Sequence, residues 1–256
     1  MTELGQRMIA QMKQRGFSIR THQSYLRAVT ELACYYKRSP ELLNQSEIQR
    51  FFNHLVQERE LAPASVRVYL NAVRFLYLKV LEWEQFDVPV IIPRKPQRIP
   101  ELLSRQEVRA LICSIDNLKH CTLILTCYGY GYGYGYGYGL RLSELVGLQV
   151  NDIGGERAML RVQQGKGQKD RAVILSDGVL RSLREYWSVY RPIRWLFPNR
   201  DPLTALHVQS AQRIYTKAKH RAGIEKVGGI HALRHAYATH QLEAGMCVEN
   251  TKNNGR

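Results

Sequence analysis

Between Gln6 and about Leu81 apolar residues recur every three or four positions with almost no strand-like alternation, and this predicts a small bundle of helices. Ser18 is placed to cap a helix running through Thr21, Tyr25, Val29 and Leu32, and Ser46 to cap another carrying Phe51, Phe52 and Leu55. Pro63 sits where a further helix begins, after which Val66, Leu70, Val73 and Tyr77 make one apolar stripe for the bundle core. The pattern breaks at Val88–Pro100, which holds four prolines together with Arg94, Lys95 and Arg98. Proline removes backbone donors and stiffens the chain, so this stretch reads as an extended basic linker. Directly after it, Ser104 and Glu107 form the capping-box pattern that opens a new helix.

Beyond the linker the periodicity stays mainly helical, with one hairpin signal. Leu160-Arg161-Val162 alternates, Gly165-Lys166-Gly167-Gln168-Lys169 supplies turn residues, and Ala172-Val173-Ile174-Leu175 resumes a strand pattern. Val179, Leu183 and Trp187 mark a helix, and His207 to Ala222 mark another whose exposed face is basic. The fold class is therefore mainly α in two domains, a helical bundle followed by an α-rich domain with a small antiparallel sheet. Tyr128 to Gly139 is six consecutive Tyr-Gly units, where glycine at every second position disfavours a helix and an irregular loop is expected.

Composition narrows the class of partner. The chain has 256 residues, enough for two domains, and is 45% hydrophobic and 23% charged, as soluble globular proteins are. Its net charge is +15, shared as +6 in residues 1–100 and +9 in residues 101–256. Lysine and arginine in this excess attract phosphate backbones, which makes nucleic acid the leading partner. The same charge also suits a merely soluble surface. The five cysteines are scattered, with no Cys-x-x-Cys pair, so neither a disulfide framework nor a zinc site is expected; small buried apolar side chains are. No secretory leader pattern or membrane-length apolar stretch is present, and a cytoplasmic location with no membrane partner is the expectation.

Three segments of the second half carry candidate chemistry. Gly139-Leu140-Arg141-Leu142-Ser143-Glu144-Leu145 sets an arginine at the start of a helix, where free amides and the helix dipole favour a phosphate. The hairpin turn presents Lys166, and Lys169 and Arg171 close behind it are placed to contact DNA. His231-Ala232-Leu233-Arg234-His235 puts His231 and Arg234 on one helix face. Taken singly, each has an ordinary reading: a surface ion pair of Arg141 with Glu144, a glycine turn, a structural histidine. In the first half Arg20, Thr21, Arg67 and Arg74 are placed to meet phosphates, and each reads equally well as solvated surface.

The three segments in this order, after a basic linker, resemble the tyrosine recombinases, or phage-type integrases. The match lies in Gly-Leu-Arg-x-Ser-Glu-Leu at 139–145, Gly-Lys-Gly-x-Lys at 165–169 and His-x-Leu-Arg-His-x-x-Ala-Thr-His at 231–240. The resemblance implies that residues 1–88 are a core-binding helical DNA-binding domain, 89–100 the linker, and 101–256 a catalytic domain with the Tyr-Gly repeat at 128–139. It implies integration and recombination of double-stranded DNA, of the kind mobile elements carry, through a 3′-phosphotyrosyl intermediate. Subunits would assemble as homo- or hetero-oligomers on the DNA. No metal, ATP or other cofactor is implied. The implied catalytic residues are Arg141 and Arg234 clamping the phosphate, Lys166 as proton donor to the leaving oxygen, and His231 on the attacking tyrosine or the phosphate. Glu144 would orient Arg141, while His235 would pack.

The sequence departs from the family pattern after Arg234. The Leu-Gly-His motif and the nucleophilic tyrosine that follow it in the family do not appear in these 256 residues, so the catalytic domain reads as incomplete and truncated. The expectation is a chain inactive by itself. The alternative is a non-catalytic DNA-binding remnant, or a dominant-negative partner of a complete recombinase.

Overall fold

The structure is a computed structural model that describes residues 2–92, 101–129, 140–163 and 170–243. Lys166, Lys169, linker residues 93–100 and the repeat from Tyr130 onward lie outside the described residues. The chain divides into two compact units, Met1–Arg98 and Ile99–Arg256.

The first unit is helical among its described residues: α1 (Glu3–Gln14), α2 (Ile19–Tyr36), α3 (Gln45–Asn53) and α4 (Pro63–Phe75). Ser18 caps α2 by accepting the Thr21 amide, and Pro63 occupies the first turn of α4, as the sequence suggested. The cap of α3 differs. Asn44, not Ser46, accepts the Glu47 amide, and the Glu47 carboxylate returns to the Asn44 amide. That reciprocal pair satisfies two free donors at once, which a serine two residues inside the helix has no geometry to do. Val66, Val73 and Tyr77 are buried with Phe51, Phe52 and Leu55. The Tyr77 hydroxyl donates to the Pro40 carbonyl at 2.7 Å, so the large ring is buried without orphaning its polar end.

The second unit contains α5 (Arg105–Cys113), α6 (Leu118–Tyr128), α7 (Leu142–Val146), a three-stranded antiparallel sheet, α8 (Asp177–Tyr190), α9 (Val208–Arg221) and α10 (His231–Glu243). The strands are β1 (Ile153–Gly154), β2 (Met159–Val162) and β3 (Arg171–Ile174), in that spatial order. Leu160 pairs with Val173 and Val162 with Arg171, which buries Leu160, Val162 and Val173 on one face. The predicted hairpin is therefore in place, with β1 added at its outer edge. α6 is the centre of the core: Leu123, Ile124, Cys127 and Tyr128 are buried, together with Thr122 and Thr126. Thr126 returns its hydroxyl to the Thr122 carbonyl at 2.7 Å, a local bond that lets a polar residue sit inside.

Four expectations are corrected here. Tyr128 is not loop but the last residue of α6, with Gly129 capping it in the left-handed conformation at φ 78°. In α8 the buried aromatic is Tyr186 and not Trp187, which is 42% exposed and carries the Arg191 guanidinium 4.1 Å from its ring centroid. His235 is exposed instead of packed. Of the described cysteines, only Cys127 is buried; Cys34 and Cys113 are exposed and Cys121 is intermediate. No helix among the described residues is long and apolar enough to cross a membrane.

α10 is fastened to α5 and α6 by polar contacts as well as by Leu233, Ala236 and Tyr237, which are buried. Tyr128 Oη and His240 Nδ1 share a hydrogen bond at 2.8 Å, and Arg105 donates to the His240 carbonyl at 2.6 Å. Burial, with the Arg105 charge beside it, holds the His240 imidazole below its usual range, so the folded protein keeps it neutral. Replacing Tyr128 with phenylalanine orphans one buried polar atom and is expected to cost about 1–2 kcal/mol. In calorimetry that appears as a melting temperature lower by about 2–8 °C. An unchanged midpoint would mean that the bond contributes nothing to holding α10.

Candidate functional site

Arg141 is the residue from which α7 starts, with extended backbone at φ −70° and ψ 149°. Leu140, Leu142 and Leu145 are buried around it and fix the turn in the core. Three residues on, Glu144 folds back. Its Oε2 accepts the Arg141 amide at 2.8 Å and its Oε1 accepts Arg141 Nη1 at 2.8 Å. This is no surface ion pair, because the Glu144 side chain is only 5% exposed. The expected role of the helix end as an anion site also changes: α7 has only five residues, and Glu144 already occupies the amide of Arg141. What Arg141 presents outward is its guanidinium, 36% exposed as a side chain.

A second arginine completes the surroundings of that carboxylate. From the first position of β3, Arg171 donates Nη1 to Glu144 Oε1 at 3.0 Å and Nη2 to Oε2 at 2.6 Å. Burial alone would raise the Glu144 carboxyl. The bonds from Arg171 and Arg141 outweigh it and bring the pKa down to about 2, from an ordinary 4.5.

Arg234 lies one turn into α10 and is half-buried. Its Nη1 is shielded from solvent and has no hydrogen-bond partner among the described residues. Burial lowers its pKa, and the charges of Arg141 and Arg171 lower it further while Glu144 opposes them. Arg141, Glu144, Arg171 and Arg234 thus form one electrostatic neighbourhood, with three guanidinium groups against one carboxylate. The charge of Arg234 also reaches the buried Cys127, whose thiol is nonetheless pushed up to about 12 by burial. A surplus of positive charge out of full contact with water, with a donor left unused, has the composition of a site for an anion with several acceptor oxygens.

The remaining sequence candidates fall as follows. His231 is the exposed first residue of α10, one turn before Arg234. Arg20, Arg67 and Arg74 are exposed on α2 and α4 and have no ion-pair partner among the described residues. The Thr21 hydroxyl is held by Ser18 Oγ at 3.0 Å, within the cap of α2. Sequence reasoning set Arg171 among the DNA contacts and missed its grip on Glu144. The two residues stand 27 positions apart on different elements, and no local spacing signals the pair. No group of three His, Cys, Asp or Glu residues suited to a metal ion occurs among the described residues.

Comparison with known proteins agrees with this architecture. The model of the phage integrase family matches residues 102–251, and that of the N-terminal SAM-like domain of phage integrases matches residues 4–86. The chain is 39% identical over 249 residues to a putative integrase/recombinase, y4qK, of Sinorhizobium fredii, covering 97% of this chain and 78% of that one. It is 27% identical over 282 residues to an integrase/recombinase of Escherichia coli, covering 92% and 80%. Among solved structures, the Tn1549 transposon integrase in complex with transposon right end DNA has a similar fold. There the TM-score is 0.70 at 15% identity, covering 96% of this chain and 88% of that one. This chain belongs to the phage integrase family, the tyrosine recombinases.

Proposed function

We propose that the chain binds double-stranded DNA and holds one phosphodiester between Arg141 and Arg234, in the manner of a site-specific recombinase that cuts and rejoins strands. The shielded Nη1 of Arg234, which has no partner among the described residues and feels the charge of Arg141, carries this reading, because a phosphate oxygen would supply an acceptor. The basic surface of the first unit, with Arg20, Thr21, Arg67 and Arg74, and the hairpin residue Lys169 then contact the flanking backbone. The Tn1549 integrase was solved in complex with transposon right end DNA and the XerH site-specific recombinase bound to difH substrate, which supports the choice of partner.

In the reaction the attacking tyrosine oxygen bonds to phosphorus while the bond to the 5′ oxygen breaks. His231 takes up the phenolic proton and Lys166 supplies one to the departing oxygen. Arg141 and Arg234 stabilise the charge that builds on the non-bridging oxygens, and Glu144 keeps Arg141 aimed. The phosphotyrosyl bond conserves the energy of the phosphodiester, so a partner strand's 5′-hydroxyl reverses the step without ATP.

The finer reading is that this 256-residue polypeptide binds without cutting by itself. In the second unit Tyr128, Tyr186, Tyr215 and Tyr237 are buried, and burial pushes the last three up to about 12, an unfavourable state for a nucleophile. Tyr190 is exposed, but at the end of α8, an element that carries none of the candidate site residues. The repeat tyrosines all precede Arg141 in the chain. The test is a labelled duplex incubated with the protein and then denatured. Retarded DNA before denaturation and no protein-linked band afterwards is the expected pair of results. A covalent adduct would overturn the finer reading, and the absence of salt-sensitive binding would overturn the broader one.

A further inference from the structure

All four acceptor positions of the Glu144 carboxylate are occupied. Oε1 takes Arg141 Nη1 at 2.8 Å and Arg171 Nη1 at 3.0 Å; Oε2 takes the Arg141 amide at 2.8 Å and Arg171 Nη2 at 2.6 Å. Arg171 supplies half of these bonds, and with both arms of its fork. A carboxylate that is 5% exposed cannot replace them with bulk water, so without Arg171 its charge has to find other partners or draw Arg141 inward. Arg171 begins β3, the returning strand of the hairpin, and Glu144 lies in α7. The pair therefore ties the hairpin to the turn from which Arg141 projects.

We propose that Arg171 is a positioning residue for the phosphate clamp: by gripping both oxygens of Glu144 it fixes the aim of Arg141 and the register of the hairpin beside it. The inference rests on the phosphate-clamp reading above. Its competitor is that Arg171 is itself a phosphate contact, one more positive charge on the DNA-facing surface. Lysine separates the two. It keeps the charge, which is all that a backbone contact requires, but a single ammonium does not reproduce a planar fork spanning two oxygens.

The experiment measures affinity of the full chain for a short duplex at about 0.1 M salt, where losing one phosphate contact weakens binding about tenfold. The proteins compared are the unaltered chain, Arg171→Lys, Arg171→Gln, Arg141→Gln and the Arg141→Gln/Arg171→Lys double variant, with circular dichroism confirming that each is folded. Positioning through Glu144 gives Arg171→Lys the same loss as Arg141→Gln, and the double variant loses no more than either alone. If Arg171→Gln fails to fold, the lysine variant and its double with Arg141→Gln carry the comparison unaided. Native affinity in Arg171→Lys, or losses that multiply to about a hundredfold in the double variant, overturns the inference and makes Arg171 an independent contact. Native affinity in Arg141→Gln overturns the clamp itself, and this inference with it.

Discussion

Replacing Arg234 with methionine is expected to make the free protein more stable and its grip on DNA weaker. The native guanidinium is half-buried, has one nitrogen without a partner among the described residues, and shares its neighbourhood with the charges of Arg141 and Arg171. Methionine keeps much of the apolar stem and removes the shielded, unsatisfied donor, whose burial costs about 1–3 kcal/mol. The melting temperature of a two-unit chain of this size should rise by several degrees, roughly 2–4 °C for each kcal/mol. The same variant forfeits a phosphate contact, so duplex affinity at about 0.1 M salt should fall about tenfold. A stabilising change that removes binding marks a residue kept for function at the expense of the fold. Calorimetry and a duplex titration on one sample check both halves. A lower melting temperature would instead make Arg234 a structural residue whose partner is native to the fold.

Glu144→Gln works in the opposite direction. Removing the one carboxylate from among three guanidinium groups leaves Arg141 and Arg171 facing each other across a neutral amide, and breaking a buried pair in this way costs about 3–5 kcal/mol. The pH dependence follows from the depressed carboxyl. With a folded pKa of about 2 against an ordinary 4.5, the unfolded chain takes up the proton first. The contribution of Glu144 is therefore fully present above pH 4.5 and is lost as the pH falls toward 2, a loss on the order of 3 kcal/mol. Subtracting the stability profile of the Gln variant from that of the unaltered protein should isolate this term. A difference that stays flat from neutral pH down to about 2 would show that the carboxylate is not held by the arginines.

Much of this arrangement was legible in the amino-acid sequence, and the parts that were not share a physical reason. Ser18, Pro63 and the Ser104–Glu107 box were readable because a cap is a contact between residues three apart, and spacing of that order survives in a linear string. Asn44 was passed over for Ser46 although both are capping types; the reciprocal bond from Glu47, which decides between them, belongs to the folded turn. Choosing Trp187 over Tyr186 was an error of one position. The stripe from Val179 and Leu183 leaves 186 and 187 both near the buried face, and the hydroxyl of Tyr186 reaches the Leu196 carbonyl at 2.8 Å, an acceptor outside the helix.

Tyr128 shows the same limit at the edge of the repeat. As a string it is the first of six identical units, yet its hydroxyl finds His240, 112 positions later, and the helix continues through it. At the site, Arg141, Glu144 and Arg234 stood out through motif spacing and resemblance. The link from Glu144 to Arg171 joins a helix to a strand and had no sequence signal. The two-residue β1 exists only because Ile153 and Gly154 find Leu160 and Met159 across a tight turn, too short a run for periodicity to register.

The central claim is that two guanidinium groups from distant segments meet one DNA phosphate. The salt dependence of duplex affinity, for the unaltered chain and for the Arg141→Gln/Arg234→Gln variant, tests it most directly. The slope of log affinity against log salt falls by about 0.9 for each phosphate no longer neutralised, so the double variant, which frees one phosphate, should be shallower by about 1. Two parallel lines, with the same slope in both proteins, would mean that neither arginine touches the backbone.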